Sequence, residues 1–231
     1  MTPQEYFTKA LQCNALKDKK GAIANYTQAI KLNSNYAKAY NNRGNIVYEL
    51  SLKKRFLCKI VNKFAAITDY VRAIFADPNF AESYVNIGVV CSSMTAYLTA
   101  IEHYNKAIEI NCSNFVAYYY RGMAYEKLRQ YETAMENYNK AIEINPSYVE
   151  AYVIRAVLYN RLEDTQKAID DCTKAIEINP KYAQAYFVRG VIRYKTGDEK
   201  NGVIDSSHSV LIDHENCANI PEEVLLEIEE P

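Results

Sequence analysis

Apolar and small residues return along this chain with a fixed period. The phrases HYNKAIEIN from residue 103, NYNKAIEINP from 137 and DCTKAIEINP from 171 each begin 34 residues after the last. Extending that frame divides the chain into repeats at 3–36, 37–80, 81–114, 115–148, 149–182 and 183–216, the second ten residues longer than the others. Repeat position 4 is Tyr6, Tyr40, Tyr84, Tyr118, Tyr152 and Tyr186. Position 8 is always Ala or Gly: Ala10, Gly44, Gly88, Gly122, Ala156 and Gly190. Positions 20, 24 and 27 read Ala, Tyr and Ala in the first four repeats, as in Ala100, Tyr104 and Ala107. With Ile at 28 these fall on one stripe of an α-helix. Pro78, Pro146 and Pro180 stand at position 32, where proline stops a helix and sets a turn. With seven glycines and six prolines in 231 residues, little turn chemistry is left over, which predicts helices joined by short connections.

This pattern resembles the tetratricopeptide repeat family over residues 3–216. The resemblance implies an all-α superhelical solenoid of six antiparallel helix pairs, each a helix A followed by a helix B. Small residues at 8, 20 and 27 then let the two backbones approach, and aromatics at 4 and 24 fill the space beside them. No pair buries its apolar face alone, so the pairs must stack. The sixth repeat departs from the pattern with Gly202, Ser206 and Ser209, as terminal repeats do. Residues 217–231 are expected to form an acidic capping helix or tail. Pro221 opens EEVLLEIEE there, and Val224, Leu225 and Ile228 share a helical face.

Charge and chemistry narrow the function by exclusion. A formal net charge of −1 gives no electrostatic footprint for nucleic acid. The six cysteines form no CxxC pair, the three histidines stand near no telling nucleophile or carboxylate, and no phosphate-loop, dinucleotide, zinc-protease or hydrolase motif occurs. The expectation is a chain without enzymatic activity, cofactor or metal. Cys13, Cys91 and Cys172 fall at core positions. The N-terminal MTPQEYFTKALQ lacks the apolar centre of a secretory signal, and no apolar run is long enough to span a bilayer, so a cytoplasmic location with free thiols is expected.

Comparison among repeats shows one covarying pair. Position 7 is Arg43, Arg155 and Arg189 where position 23 is Asp69, Asp171 and Asp205, and it becomes Ile87 where position 23 becomes His103. This predicts an ion pair or hydrogen bond between helices A and B.

In the family that the chain resembles, helix A lines a concave groove, with positions 5 and 9 facing it. Position 5 is Phe7, Asn41, Val85, Tyr119, Val153 and Phe187; position 9 is Leu11, Asn45, Val89, Met123, Val157 and Val191. Apart from the two asparagines both rows are apolar. Position 5 is expected to be open to a ligand, whereas position 9 either lines the groove or packs on neighbouring helices. The partner implied is a protein or peptide, an amphipathic helix or extended segment with apolar anchors, of unspecified identity. A subgroup of the family grips terminal carboxylates with a set of lysine, arginine and asparagine. Here Asn45 and Asn86 match it, but Asn41, Val116 and Tyr120 replace its cations, so that mode is excluded.

The ten extra residues lie within SLKKRFLCKIVNKF, residues 51–64. They either lengthen both helices of the second repeat or form a short helix. Lys53, Lys54, Arg55, Lys59 and Lys63 supply a second candidate surface, and Phe56, Ile60 and Phe64 share a face with Leu57 and Val61. That face either packs inward with the lysines solvated, or serves as a basic amphipathic element for an anionic partner or membrane surface. The acidic tail also suits the basic segment of a second copy, which would give self-association.

Overall fold

The first, third, fifth and sixth repeats each fold as two helices joined by a tight turn, and the turn has the same chemistry each time. The computed structural model describes residues 1–52 and 56–216, the side chains of 56, 57 and 213–216 excepted. Among the described residues there are twelve helices and no strand. They form two compact bodies, residues 1–128 and residues 129 onward. The first holds α1 (Pro3–Ala15), α2 (Lys19–Leu32), α3 (Ala37–Leu52), α4 (Phe56–Ala76), α5 (Ala81–Ser92), α6 (Tyr97–Ile110) and α7 (Phe115–Lys127). The second holds α8 (Tyr131–Ile144), α9 (Val149–Arg161), α10 (Thr165–Ile178), α11 (Ala183–Lys195) and α12 (Glu199–Asn216). Odd-numbered helices are the A helices and even-numbered ones the B helices. The capping helix expected over 217–231 lies outside the described residues.

Helix A ends with a residue in the left-handed region. Lys17, Thr95, Arg129 and Glu163 have φ near +60°, and Gly197 has +93°. All five occupy repeat position 15. The next N–H then reaches back to position 11, as in Asp18 N–H to the Cys13 carbonyl at 2.9 Å and Asp164 N–H to Tyr159 at 2.9 Å. This caps the carbonyls that a helix end leaves open and turns the chain into helix B. Glycine is the residue this conformation favours, and only one of the five positions has it.

Helix B ends at position 31 in an equally regular way. The side-chain oxygens of Asn33, Asp77, Asn111, Asn145 and Asn179 accept the N–H two residues on, at 3.0 or 3.1 Å. Such an Asx turn mimics a backbone turn and competes with helix continuation. It also operates after Asn33 and Asn111, where no proline follows, so the asparagine or aspartate is the common stop and the proline a reinforcement. Helix α1 opens on a capping box: Thr2 Oγ1 accepts Glu5 N–H at 3.2 Å and Glu5 Oε2 accepts Thr2 N–H at 2.9 Å.

Alanine and tyrosine make the core. Ala10, Ala22, Ala29, Ala66, Ala73, Ala100 and Ala107 have no exposed surface in the first body, nor do Ala156, Ala168 and Ala175 in the second. Tyr26, Tyr70 and Tyr104 are buried between the paired helices. Each sends its hydroxyl to helix A or its successor: Tyr70 donates to Asn45 Oδ1 at 2.9 Å, Tyr104 lies 3.3 Å from Ser92 Oγ, and Asn42 Nδ2 donates to Tyr26 at 3.4 Å. A buried phenol needs such a partner. The Tyr70 and Tyr104 rings occupy the room that glycine leaves at position 8, whereas the first repeat has Ala10 there beside Tyr26. A Cβ on Gly44 would sit 2.7 Å from Tyr70, and one on Gly88 only 2.4 Å from Tyr104. The ten extra residues lengthen both helices of their hairpin, α3 to 16 residues and α4 to 21, where α5 has 12 and α6 has 14.

Candidate functional site

The covarying arginines join three helices rather than two. Arg43 donates Nε and Nη2 to the two carboxylate oxygens of Asp69 at 2.8 and 2.7 Å; Arg155 does the same to Asp171 and Arg189 to Asp205. The remaining Nη1 crosses to position 25 of the preceding repeat. Arg43 reaches Thr27, Arg121 reaches Asn105, Arg155 reaches Asn139 and Arg189 reaches Thr173, all at 2.7–3.1 Å. Each of these guanidiniums also lies 5.2–5.7 Å from the ring of the position-4 tyrosine one turn earlier. That accounts for four of the six tyrosines in the row; Tyr6 and Tyr84 stand where position 7 is Lys9 and Ile87. The sequence carried the third partner too: where position 7 is Ile87, position 25 of the previous repeat is Val71. These residues set how one hairpin sits on the next, and their polar groups are engaged with one another.

The twelve groove candidates divide by row. Position 5 was expected to face solvent, and most of it does not: Phe7, Asn41, Val85 and Val153 are buried, with Tyr119 and Phe187 half-buried. Neighbouring side chains cover the row. Phe7 packs against Tyr26 at 5.5 Å and stacks on Tyr36 at 5.0 Å. Asn41 accepts from Ser83 Oγ at 3.0 Å and Asn86 Nδ2 at 2.9 Å, and donates to Glu82 at 3.3 Å. A serine at position 3, where the third to sixth repeats otherwise have alanine, was the available sign of that buried network. Position 9 is the open row. Asn45, Val89 and Met123 in the first body are half-buried and Leu11 is exposed; Val157 and Val191 in the second body are half-buried. Asn45 and Asn86, the two residues in common with the carboxylate-gripping subgroup, both spend polar atoms on internal hydrogen bonds.

The second candidate surface is rearranged. Lys63 is buried and donates to the Ser93 carbonyl at 2.7 Å, and burial with Lys59 beside it lowers its pKa. It therefore ties α4 to the end of α5 and is not part of a basic rim. Lys59 is half-buried, and Lys53, Lys54 and Arg55 lie outside the described residues. The apolar face is split: Ile60 is half-buried, while Val61 and Phe64 point to solvent. Along α4 the exposed apolar row continues through Val71 to Phe75. A second such row, Val203, Ile204, Val210 and Leu211, runs along α12.

Among the described residues, no group of three His, Cys, Asp or Glu is placed to hold a metal ion. Cys91 and Cys172 are buried and burial raises both thiols; Cys13 is half-buried near Asn25 at 3.7 Å. His103 is half-buried 6.4 Å from the Tyr84 ring, and burial lowers its pKa. No described helix is long and apolar enough to cross a membrane.

Comparison with known proteins agrees with this architecture. Tetratricopeptide repeat models match residues 81–113, 115–148 and 149–182, and a TPR repeat model matches residues 12–51, together more than half of the chain. No curated protein sequence matches. Among solved structures, MamA superposes with a TM-score of 0.59 at 24% identity, covering 69% of this chain and 93% of that one. YrrB, described as a TPR protein with an unusual peptide-binding site, gives 0.55 at 21% identity, covering 87% and 95%. PilF of Pseudomonas aeruginosa gives 0.73 at 13% identity, covering 98% and 95%. At these identities the likeness is one of fold. With repeat models matching more than half of its length, the chain belongs to the tetratricopeptide repeat family.

Proposed function

We propose that the chain is a non-enzymatic interaction scaffold that holds a partner peptide or helix against the A helices of its repeats, with position 9 as the anchor row. The observation that carries this reading is a contrast between two rows. On the outward side of the B helices the third to fifth repeats place Lys106 with Glu109, Lys140 with Glu143 and Lys174 with Glu177, each pair at 2.8–2.9 Å. A surface kept only for solubility has that character. On the A helices Val89, Met123, Val157 and Val191 stay partly open and carry no charge. Half-open apolar side chains repeated at one register suit a segment with apolar anchors of its own. Half-buried Tyr119 and Phe187 add aromatic surface one turn away. A terminal carboxylate is a poor ligand, because the two asparagines that would hold it are engaged elsewhere.

The test is a set of four substitutions, Val89, Met123, Val157 and Val191 each to Asn, in the full chain. Helical circular dichroism should be unchanged while capture of the native partner from an extract is lost. Capture that survives all four changes places the binding surface elsewhere and overturns the reading.

A further inference from the structure

The last helix lies bare where its counterparts are covered. Each earlier B helix packs on the A helix that follows it, α2 on α3, α4 on α5, α6 on α7, α8 on α9 and α10 on α11. Repeat positions 21 and 28 share one stripe of helix B. In those five helices both are apolar and are buried or half-buried, as in Ile169 and Ile176 of α10. No A helix follows α12 among the described residues, and its Val203 and Val210 at the same positions are 56% and 55% exposed. With Ser206 between them and Tyr194 of α11 alongside, they border a groove of about 610 Å³.

The first helix is made differently. In α3, α5, α7, α9 and α11, position 3 is a fully buried alanine or serine and position 10 a buried apolar side chain. In α1 the same positions are Glu5 and Gln12, both exposed. That face suits water, and it does not suit the apolar groove of a second copy.

We infer that residues 221–230 cover the groove on α12 as a helix of the same chain, running back along α12 in the place that a seventh A helix would take. The chain continues directly from Asn216 at the end of α12 into residues 217–231. After a reversal over 217–220, Pro221 suits the first turn of a helix, and Glu222 and Glu223 complement the positive end of its dipole. Ten helical residues span ~15 Å, the length of α12 from Asn216 back to Ser206, with Val203 one turn further at the edge. Val224, Leu225 and Ile228, which share a face, then lie over the stripe that holds Val210 and Ser206. Covering it strands no hydroxyl, because Ser206 Oγ donates to the Gly202 carbonyl at 2.9 Å and Ser207 Oγ to the Val203 carbonyl at 2.8 Å.

The sequence leaves the tail a second destination, the basic segment of another copy. Of that segment Lys63 is buried on the Ser93 carbonyl, whereas a tether of a few residues presents the tail to its own α12 at an effective concentration in the millimolar range. Filled in this way, the sixth hairpin presents no apolar end to another copy. The inference does not depend on the anchor row of the A helices.

The chain has no tryptophan, so Leu225→Trp in the full chain is a single reporter. Its emission should be blue-shifted from that of free tryptophan, and equally so from submicromolar to submillimolar chain. Adding Val210→Asp should return the emission to that of an exposed tryptophan while helical circular dichroism is unchanged. Exposed emission without that change, or a blue shift that survives it, overturns the inference. A shift that grows with concentration makes a second copy the occupant and overturns it too. Cross-linking checks the placement separately, in a chain whose Cys58, Cys112 and Cys217 are serine. There the pair Val210→Cys and Leu225→Cys should close within one chain on mild oxidation. The pair His208→Cys and Leu225→Cys should close several-fold less, because residues 208 and 210 are ~3 Å apart in height but on opposite sides of α12. Equal closure of the two pairs means a tail without a fixed place and overturns the inference.

Discussion

Replacing Gly88 with alanine puts a methyl carbon 2.4 Å from Cε1 of Tyr104 and 2.8 Å from Cδ1 and Cζ. Carbon atoms rest at ~3.5–4.0 Å, so the ring must retreat by about 1 Å. It has no room to do so: Tyr104 is fully buried, and its hydroxyl is held beside Ser92. The expected cost is ~1–3 kcal/mol of overpacking. Tyr104→Cys alone removes most of a buried ring and should cost ~3–5 kcal/mol through the cavity it leaves. The fifth repeat shows the alternative solution, with Ala156 and Cys172 at the same two positions, both fully buried. The double variant Gly88→Ala, Tyr104→Cys should therefore lose clearly less than the sum of the singles, by at least ~1 kcal/mol. Urea unfolding of the four proteins, followed by circular dichroism, closes the cycle. Losses that add to within ~0.5 kcal/mol would show that positions 8 and 24 are not packed against each other as described.

Three further outcomes follow from particular residues. Arg43→Met should destabilise by ~3 kcal/mol, because the Asp69 carboxylate, whose side chain is 9% exposed, loses both hydrogen bonds in a buried setting; a loss below ~1 kcal/mol in denaturant titration would contradict the three-helix staple. Thr95→Gly should raise stability by ~1 kcal/mol, since a β-branched residue at φ +62° is strained, while Gly197→Ala at φ +93° should lower it without any steric contact. His103 has its pKa lowered by burial, so the unfolded chain takes up the proton first. Its contribution to stability is complete above ~6.5 and is lost as pH falls below that value. His103→Asn should flatten the stability profile below about pH 6.5 relative to the parent, and an identical slope in both proteins would show that the histidine does not contribute.

Much of the fold was legible because six copies of one unit can be compared. Tyrosine at 4, small residues at 8, 20 and 27, and the Arg–Asp covariation each named a contact that the structure contains. What escaped the sequence had specific causes. The left-handed residue at position 15 is signalled by glycine only at Gly197; Lys17, Thr95, Arg129 and Glu163 bear the strain without advertising it. The Asx turn at position 31 was hidden behind the more conspicuous proline. Position 5 points toward the groove in family geometry, but its exposure depends on the bulk of its neighbours. Tyr36 against Phe7 and Ser83 with Asn86 against Asn41 decide that locally. Along α4 the helical pattern placed Phe64 and Ile60 on one face, yet the actual boundary between core and solvent runs between them. A periodicity fixes which residues share a face, not which face the neighbouring hairpin takes.

The scaffold reading is tested most directly by recording which side of the hairpins touches a partner. A photo-crosslinking amino acid placed singly at Val89, Met123, Val157 and Val191 samples the open A-helix row, and the same residue at Glu109, Glu143 and Glu177 samples the outward B-helix row. Irradiation in the native cell, followed by mass spectrometry of the adducts, reports the contacts at each site. The account predicts that adducts to one partner segment concentrate at the four A-helix sites and are absent from the three glutamate sites. Adducts concentrated at the glutamate sites, or spread equally over both rows, would contradict it.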